Sequence, residues 1–428
     1  MRATPRKLFA ALATASLLTL AACGGGDAGG SGGGADTKEV EVFTWWAEGS
    51  EKEGLDALVK VFGEQHADFE FVNGAVAGGA GSDAKNVLAS RLQTNDPPAT
   101  FQAHAGAELT DYINQGQIEG LSDMYEEKGW NELFPEGLLD RLEQDGEIYS
   151  VPSNIHRANV VWANPAVLEK AGVDPKATYG SLDEWFSALD KVKANGKIAL
   201  SIATDWTQVN LLETVLLADL GADGYNGLWD GTTDWSGPEV KGALEDYAKL
   251  MSYTNSDRQS LDWPDATQLV IDGEAGFNVM GDWAEAAFAS QDKKFDTDYV
   301  TFPVPGTDGV FDFLADSFTM PVGGPNPAGT EAWLDTVASA EGQEAFNKAK
   351  GSIPANTEAN TDDFGPYQQT AIESWTNDEI VSSLAHGAAA SVSWLTDITA
   401  AISKFGSNQD VAELQDGLAA AAEKNAAK

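Results

Sequence analysis

Between residues 40 and 103 the sequence alternates between the hydrophobic spacing of strands and the spacing of helices. Segments 40–43, 69–72 and 100–103 are short apolar or alternating runs, which are typical of β-strands. Segments 55–62 and 87–92 repeat their apolar residues at helical spacing. The order strand, helix, strand, helix, strand predicts a parallel sheet with helical crossovers, so we expect an α/β fold.

The length of the chain indicates more than one lobe. The sequence has 428 residues and a hydrophobic content of 43%. A chain of this length exceeds what one hydrophobic core usually organises, so two lobes are expected. A strand-like run that ends at Pro152 marks the place where the chain is expected to leave the first lobe.

Residues 1–22 have the features of a secretory signal peptide. Basic residues precede an apolar run that is too short to span a bilayer. The run ends in Leu20-Ala21-Ala22-Cys23, which resembles a bacterial lipobox, and Cys23 is the one cysteine of the chain. The resemblance implies that Cys23 is acylated as a lipid anchor, followed by a glycine-rich linker over residues 23–37. An ordinary cleaved signal peptide with a free thiol is the alternative.

The charge of the chain argues against two classes of partner. Acidic residues number 67 and basic residues 26, which gives a formal charge of −41. Such a surface repels nucleic acid and anionic lipid. We therefore expect no nucleic-acid partner, and contact with the membrane only through the lipid anchor.

The sequence offers no motif for a metal, a cofactor or a catalytic nucleophile. Its four histidines are far apart and its cysteine is assigned to the anchor, so a zinc spacing is missing. Walker, dinucleotide-binding and Gly-x-Ser-x-Gly motifs are missing as well. We expect a binding protein without a cofactor. A secreted glycoside hydrolase stays open because carboxylates are abundant, and a cell-wall adhesin is a third possibility.

Two strand ends carry side chains that suit sugar binding. Trp45 and Trp46 follow the first strand, and Gln102 and His104 lie at the end of the third. Ligands of parallel sheets bind beyond the carboxyl ends of the strands. Tryptophan, of which the chain has 13, offers a flat and rigid face to the C–H groups of a sugar ring. These strand ends therefore predict the rim of a sugar site.

Several short motifs resemble, in their order, the extracellular solute-binding proteins of family 1 from ABC importers, which are maltose-binding-like. The leader, Trp45-Trp46 and segments 149–152, 281–283 and 351–355 carry this resemblance over essentially the whole mature chain. The glucose- and mannose-binding branch is the most similar. The motifs that resemble this branch are segments 78–81, 96–98, 102–106, 154–157, 278–283 and 386–387.

The resemblance implies a two-lobed clamshell like that of periplasmic binding proteins. Each lobe is expected to be a mainly parallel sheet flanked by helices, with the ligand in the cleft. Residues 38–151 and 309–352 are expected to form lobe 1, and residues 152–308 and 353–428 to form lobe 2.

The resemblance also implies which residues bind the ligand. Glu51 matches the family only if one residue is inserted in its loop. The implied ligand-binding residues are Trp45, Trp46, Glu51, Gln102, His104, Trp263, Asp282, Trp283, Asp316, Lys350 and His386.

As implied by the same resemblance, the expected ligand is a monosaccharide, namely glucose, mannose or galactose. An oligosaccharide such as cellobiose or a xylo-oligomer is the alternative. The expected protein partners are the transmembrane subunits of an ABC permease. The receptor itself is expected to be a monomer at the outer face of a bacterial cytoplasmic membrane.

Overall fold

The computed structural model describes residues 38–77 and 81–425. The predicted signal peptide, the Cys23 anchor and the linker lie outside the described residues, as do residues 78–80 of the glycine-rich segment. Over the described ranges, no helix combines the length and the apolar character needed to cross a membrane.

The strands of the described chain are short, and each has two to five residues. They are β1 (Glu39–Phe43), β2 (Glu70–Asn73), β3 (Thr100–His104), β4 (Glu143–Gln144), β5 (Glu147–Ile148), β6 (Val151–Pro152), β7 (His156–Arg157), β8 (Val160–Ala163), β9 (Ile198–Ser201), β10 (Ala275–Val279), β11 (Val300–Pro303), β12 (Val310–Leu314), β13 (Asp316–Thr319) and β14 (Glu379–Ser382).

The helices separate and cover these strands. They are α1 (Gly49–Gln65), α2 (Ser82–Gln93), α3 (Thr110–Asn114), α4 (Ser122–Lys128), α5 (Glu136–Leu142), α6 (Pro165–Lys170), α7 (Leu182–Ala194), α8 (Asp205–Asp230), α9 (Pro238–Met251), α10 (Trp263–Ile271), α11 (Ala284–Ala289), α12 (Pro327–Ala338), α13 (Ala340–Lys350), α14 (Pro366–Asn377), α15 (Val392–Asn408) and α16 (Val411–Asn425). Short 3-10 turns cover Ala107–Leu109, Trp130–Glu132 and Arg258–Ser260.

Helix α8 has a break where the sequence pattern predicts one. The apolar run before Gly221 predicts a helix that stops there, and Gly221 has non-helical backbone angles, with φ of 69° and ψ of 174°. The range Asp205–Asp230 therefore consists of two helical segments that meet at a kink. Glycine adopts a positive φ without the steric cost that a Cβ would add, so the first segment ends at the predicted position.

Two main sheets organise the described chain. The first has the strand order β2-β1-β3-β13-β6, and the second has the order β11-β8-β10-β9. Strand β1 is parallel to β2 and β3, as the sequence predicts. The predicted α/β class is therefore confirmed.

The prediction of mainly parallel sheets holds only for part of each sheet. Strand β13 is antiparallel to both β3 and β6, and β8 is antiparallel to both β10 and β11. These neighbours do not follow each other through a helical crossover. An antiparallel neighbour needs no such crossover, so a strand returning from the other sheet can pair in this direction.

A small third sheet links the two main sheets. Its order is β14-β12-β7. Strand β7 lies in the chain between β6 of the first sheet and β8 of the second, and β12 lies between β11 and β13. The chain therefore passes from one main sheet to the other through this small sheet at least twice. The lobe boundaries given above stay a prediction.

Candidate functional site

A buried cavity lies where residues from both main sheets and their loops converge. Its volume is about 20 Å³, which is room for about one water molecule. A larger ligand enters only if parts of the wall separate. The wall is formed by Trp45, Glu51, His104, His156, Trp206, Trp263, Trp283, Leu314, Asp316, Lys350 and His386. We call this space the inner cavity.

The first sheet supplies one side of the inner cavity from neighbouring strands. Trp45 follows β1, His104 ends β3 and Asp316 begins β13. The antiparallel register of β3 and β13 places Asp316 directly opposite His104. The carboxyl ends of β1 and β3 therefore deliver side chains to one rim, as expected for a sheet of this kind.

Trp283 forms much of the opposite side. Its ring centroid lies 4.9 Å from that of His386 and 5.3 Å from that of His156, with an interplanar angle of 90° to His156. The ring lies over the backbone of Gly281, where a Cβ would approach it to 2.1 Å. Glycine at position 281 is therefore what allows the turn after β10 to hold this indole in the wall.

Asp316 is the centre of the polar network. Its carboxylate accepts hydrogen bonds of 2.8 Å from Gln102 Nε2 and of 2.8 Å from Asn154 Nδ2. Burial by itself raises the pKa of Asp316, but His156, whose Nε2 lies 3.6 Å from the carboxylate, and the charge of Lys350 outweigh it and lower the pKa. Asp316 is thus held ionised inside the protein, as an acceptor with oriented lone pairs.

Lys350 and Glu51 place opposite charges in the same wall. Lys350 Nζ is 3.6 Å from Glu51 Oε1 and 5.8 Å from the ring centroid of Trp283. The cavity therefore combines a cationic donor, carboxylate acceptors and flat aromatic faces. Within residues 38–77 and 81–425, no group of three or more His, Cys, Asp or Glu side chains could hold a metal ion.

Two histidines of the wall are fixed by carboxylates behind them. His104 Nδ1 is 2.7 Å from Glu108 Oε2, and His156 Nδ1 contacts Asp282 Oδ1. Burial by itself lowers the pKa of His156, but the Asp282 carboxylate outweighs it and raises the pKa. The two carboxylates orient these rings, so that Nε2 of each faces Asp316.

The structure brings most of the predicted residues to the inner cavity, but not all. Trp46, Gln102 and Asp282 are not in its wall. Trp46 is fully buried and packs against Phe318 and Phe346 at centroid distances of 5.6 and 4.7 Å. The chain bends at Trp45 after the end of β1, and Trp45 reaches the cavity while Trp46 joins the core.

Gln102 and Asp282 lie one layer behind the wall. Gln102 donates to Asp316 and accepts a hydrogen bond from Thr44. Asp282 contacts His156 and accepts a backbone hydrogen bond of 3.0 Å from Arg157. Both side chains therefore act on the cavity through the residues that they orient.

Sequence reasoning missed three residues of the wall. His156 lies in segment 154–157, which belongs to the motifs that carry the family resemblance, so a signal was present. Trp206 lies in the first turn of α8 and Leu314 ends β12. Neither of these has a local pattern that separates it from ordinary core residues.

A larger outer cavity of about 820 Å³ adjoins the inner one. Trp206 lines both of them. The outer cavity lies between the start of α2, the start of α8 and the helix α15. Its wall includes polar side chains that can bond hydroxyl groups, among them Asn86, Asp205 and Gln259.

Glu108 makes the stability of the folded state depend on pH. Lys85 Nζ lies 2.8 Å from its carboxylate. Burial by itself raises the pKa of Glu108, but Lys85 and then His104 outweigh it and lower the pKa to about 2. The ionised form is stabilised in the folded state, so this contribution is full above about pH 4.5 and is lost as the pH falls towards 2.

We therefore expect Glu108→Gln to remove part of the acid sensitivity of the fold. The free energy of unfolding of the unmodified protein should fall by about 3 kcal/mol more than that of the variant between pH 6 and pH 2. Denaturant titrations across this pH range measure the difference. Parallel curves for the two proteins would contradict the role given to Glu108.

Comparison with known proteins agrees with this architecture. The family model described as bacterial extracellular solute-binding protein matches residues 47–344. A solved chitin oligosaccharide binding protein shares the fold, with a TM-score of 0.78, 19% identity, and coverage of 92% of this chain and 100% of that one. The two-lobed architecture expected from the sequence is thereby confirmed.

Two relatives resemble the chain over most of its length. An uncharacterised ABC transporter extracellular-binding protein of Pyrococcus horikoshii is 34% identical, and the match covers 87% of this chain and 85% of that protein. A probable sugar-binding periplasmic protein of Rhizobium meliloti is 31% identical, with 82% and 85% covered. The chain therefore belongs to the bacterial extracellular solute-binding protein family and is a receptor rather than an enzyme.

Proposed function

We propose that this chain is the extracellular receptor of an ABC importer and that it binds one monosaccharide, namely glucose, mannose or galactose, in the inner cavity. The observation that carries the proposal is the buried Asp316 carboxylate, which lies among tryptophan and histidine rings. A sugar ring has hydroxyl groups at its edge and C–H groups on its faces. The wall offers hydrogen-bonding groups for the first and flat rings for the second.

Binding is coupled to closure because both main sheets contribute to the wall. Trp45 and His104 come from the first sheet, whereas Trp263 and Trp283 flank β10 of the second. A sugar that contacts both sides binds the closed form better than an open one. This difference in contact shifts the population towards the closed form, with the chain crossings at the third sheet as the hinge.

The loaded form is then delivered to the transmembrane subunits of the permease. We propose that a monomeric receptor remains near them through an acylated Cys23 and the glycine-rich linker. A flexible linker of this composition lets the body rotate freely while the lipid restricts its distance from the membrane.

An oligosaccharide is the second candidate, and the outer cavity favours it. The inner cavity is narrow, whereas the adjoining space is about 820 Å³ and shares Trp206 with it. A sugar bound in the inner cavity could therefore extend a second unit past Trp206 into this space. Cellobiose and xylo-oligomers are suitable probes.

Calorimetric titration of the protein without its leader separates the two candidates. The panel contains D-glucose, D-mannose, D-galactose, D-xylose, cellobiose and xylobiose. Binding of a hexose with greater affinity than either disaccharide supports the monosaccharide receptor. Tighter binding of a disaccharide supports the second candidate, and no heat with any of the sugars contradicts both.

A further inference from the structure

His386 is held differently from the other two histidines of the inner cavity. His104 and His156 each present Nδ1 to a carboxylate. His386 Nδ1 instead contacts the hydroxyl of Ser383 at 2.9 Å. Its Nε2 atom is buried and finds no hydrogen-bond partner among the described residues, although the ring lines the cavity. This nitrogen is therefore available to a ligand.

The Ser383 hydroxyl is itself oriented by Glu213, which lies 170 positions earlier in the chain on α8. Ser383 Oγ is 3.1 and 3.0 Å from the two carboxyl oxygens of Glu213. The same carboxyl accepts a 2.8 Å hydrogen bond from the backbone N–H of Ala385. Both Glu213 and Ser383 are fully buried, so neither side chain exchanges these partners for water.

The direction in which the Ser383 hydroxyl donates its one hydrogen decides which ring nitrogen of His386 is protonated. Ser383 can donate to Glu213 or to His386, but not to both. A carboxyl that is already an acceptor for Ala385 attracts this hydrogen more strongly than a neutral imidazole nitrogen does. With its hydrogen given to Glu213, Ser383 can only accept from His386, which requires a proton on Nδ1.

A second buried carboxyl competes with Glu213 for a proton. The side-chain oxygens of Asp312 accept no hydrogen bond from any residue in the described ranges. Burial and then the charge of Glu213 raise the pKa of Asp312, which the Arg157 guanidinium only partly offsets. Burial also raises the pKa of Glu213, to about 8, although the hydrogen bonds that it accepts oppose this rise. Glu213 therefore becomes the ionised acceptor of the pair, with a proton left on Asp312, as the pH rises above about 8.

We propose that Glu213, acting through Ser383, is a positioning residue that holds His386 as a neutral imidazole with its proton on Nδ1. The Nε2 lone pair then faces the inner cavity and accepts a hydrogen bond from a ligand hydroxyl. Burial and then the nearby His104 lower the pKa of His386, which keeps the ring neutral. Since Lys350 can only donate, the wall discriminates between ligands by the direction in which their hydroxyl groups point.

The protonation of His386 can be read directly by NMR in the absence of sugar. In protein labelled with ¹⁵N-histidine, the four side chains give resolvable ring signals, and His386→Gln identifies the signal of His386. Above about pH 8, where Glu213 is ionised, we expect protonated Nδ1 and unprotonated Nε2. In Ser383→Ala the signal should shift towards protonated Nε2, whereas Ser383→Thr, which keeps the hydroxyl, should preserve the original form.

Sugar affinity is the second readout and rests on the proposed function. Ser383→Ala should lower the affinity for the sugar that binds best by roughly tenfold, which is the usual effect of losing one hydrogen bond. Glu213→Gln should shift the His386 signal in the same direction as Ser383→Ala. Ser150 is the matched control, because it is fully buried and its hydroxyl is without a partner in the described chain. Ser150→Ala should change neither readout.

A sugar-free His386 with its proton on Nε2 would overturn the proposal, as would an unchanged His386 signal in a folded Ser383→Ala or Glu213→Gln variant. These outcomes do not depend on sugar binding. If no sugar bound the unmodified protein while its His386 carried the proton on Nδ1, the proposed function would fail and the positioning role would stand.

Discussion

Trp283→Ala should weaken sugar binding by ~30- to 1,000-fold, which corresponds to about 2 to 4 kcal/mol for the loss of a central aromatic contact. The indole offers a face to the cavity and contacts both His156 and His386. Its removal therefore takes away the stacking surface and releases two polar groups that it holds in place. Calorimetric titration with the sugar that binds best measures the effect.

Trp235→Ala is the matched control for this change. Trp235 and Trp283 are equally buried, each with 5% of its surface exposed. Trp235 lies outside the wall of the inner cavity and donates from Nε1 to the backbone of Leu228. Both variants should lose about 3 to 5 kcal/mol of unfolding free energy, but only Trp283→Ala should lose affinity. Equal losses of affinity would mean that Trp283 acts through stability alone.

Asp316→Asn should have the next largest effect, a loss of affinity of about 100-fold or more. The carboxylate accepts from Gln102 and Asn154, and both of these donors are themselves amide groups. An asparagine amide must turn its NH₂ group towards one of them, which leaves two donors facing each other. Breaking one partner of a buried charged network costs about 3 to 5 kcal/mol, so the variant should also melt at a lower temperature.

The control for Asp316→Asn is the same substitution at an aspartate in a different environment. Asp335 accepts a 2.8 Å hydrogen bond from Lys128 and is partly exposed, at 30% of its side-chain surface. Asp335→Asn should change stability by no more than about 1 kcal/mol and leave affinity unchanged. An Asp316→Asn variant that binds sugar as tightly as the unmodified protein would contradict the central role of this carboxylate.

The first half of the first sheet could be predicted because its pattern is local. The strands and helices between Glu39 and His104 each carry a clear hydrophobic period, and parallel pairing follows from their order. The pairing of β13 with β3 could not be predicted in this way. These strands are more than 200 residues apart in the chain, so the sequence between them has no spacing that reports the contact.

In the candidate site, too, some residues can be predicted from their local sequence and others cannot. Trp45 and His104 are found from their position at strand ends. Trp46 has the same sequence signal as Trp45, and only the direction of its side chain places it in the core. The contact between Glu213 and Ser383 joins a helix to a loop across 170 positions. Such a contact depends on how α8 packs against β14, which no local pattern reveals.

The most direct test of the account is a crystal structure of the protein grown with D-glucose. The account predicts one pyranose enclosed between the tryptophan rings, with a hydroxyl bonded to Asp316 and another bonded to Nε2 of His386. The inner cavity should be widened to hold it, while the hydrogen bonds from Gln102 and Asn154 to Asp316 are kept. Sugar bound only in the outer cavity, or a pyranose that does not contact Asp316, would contradict the account.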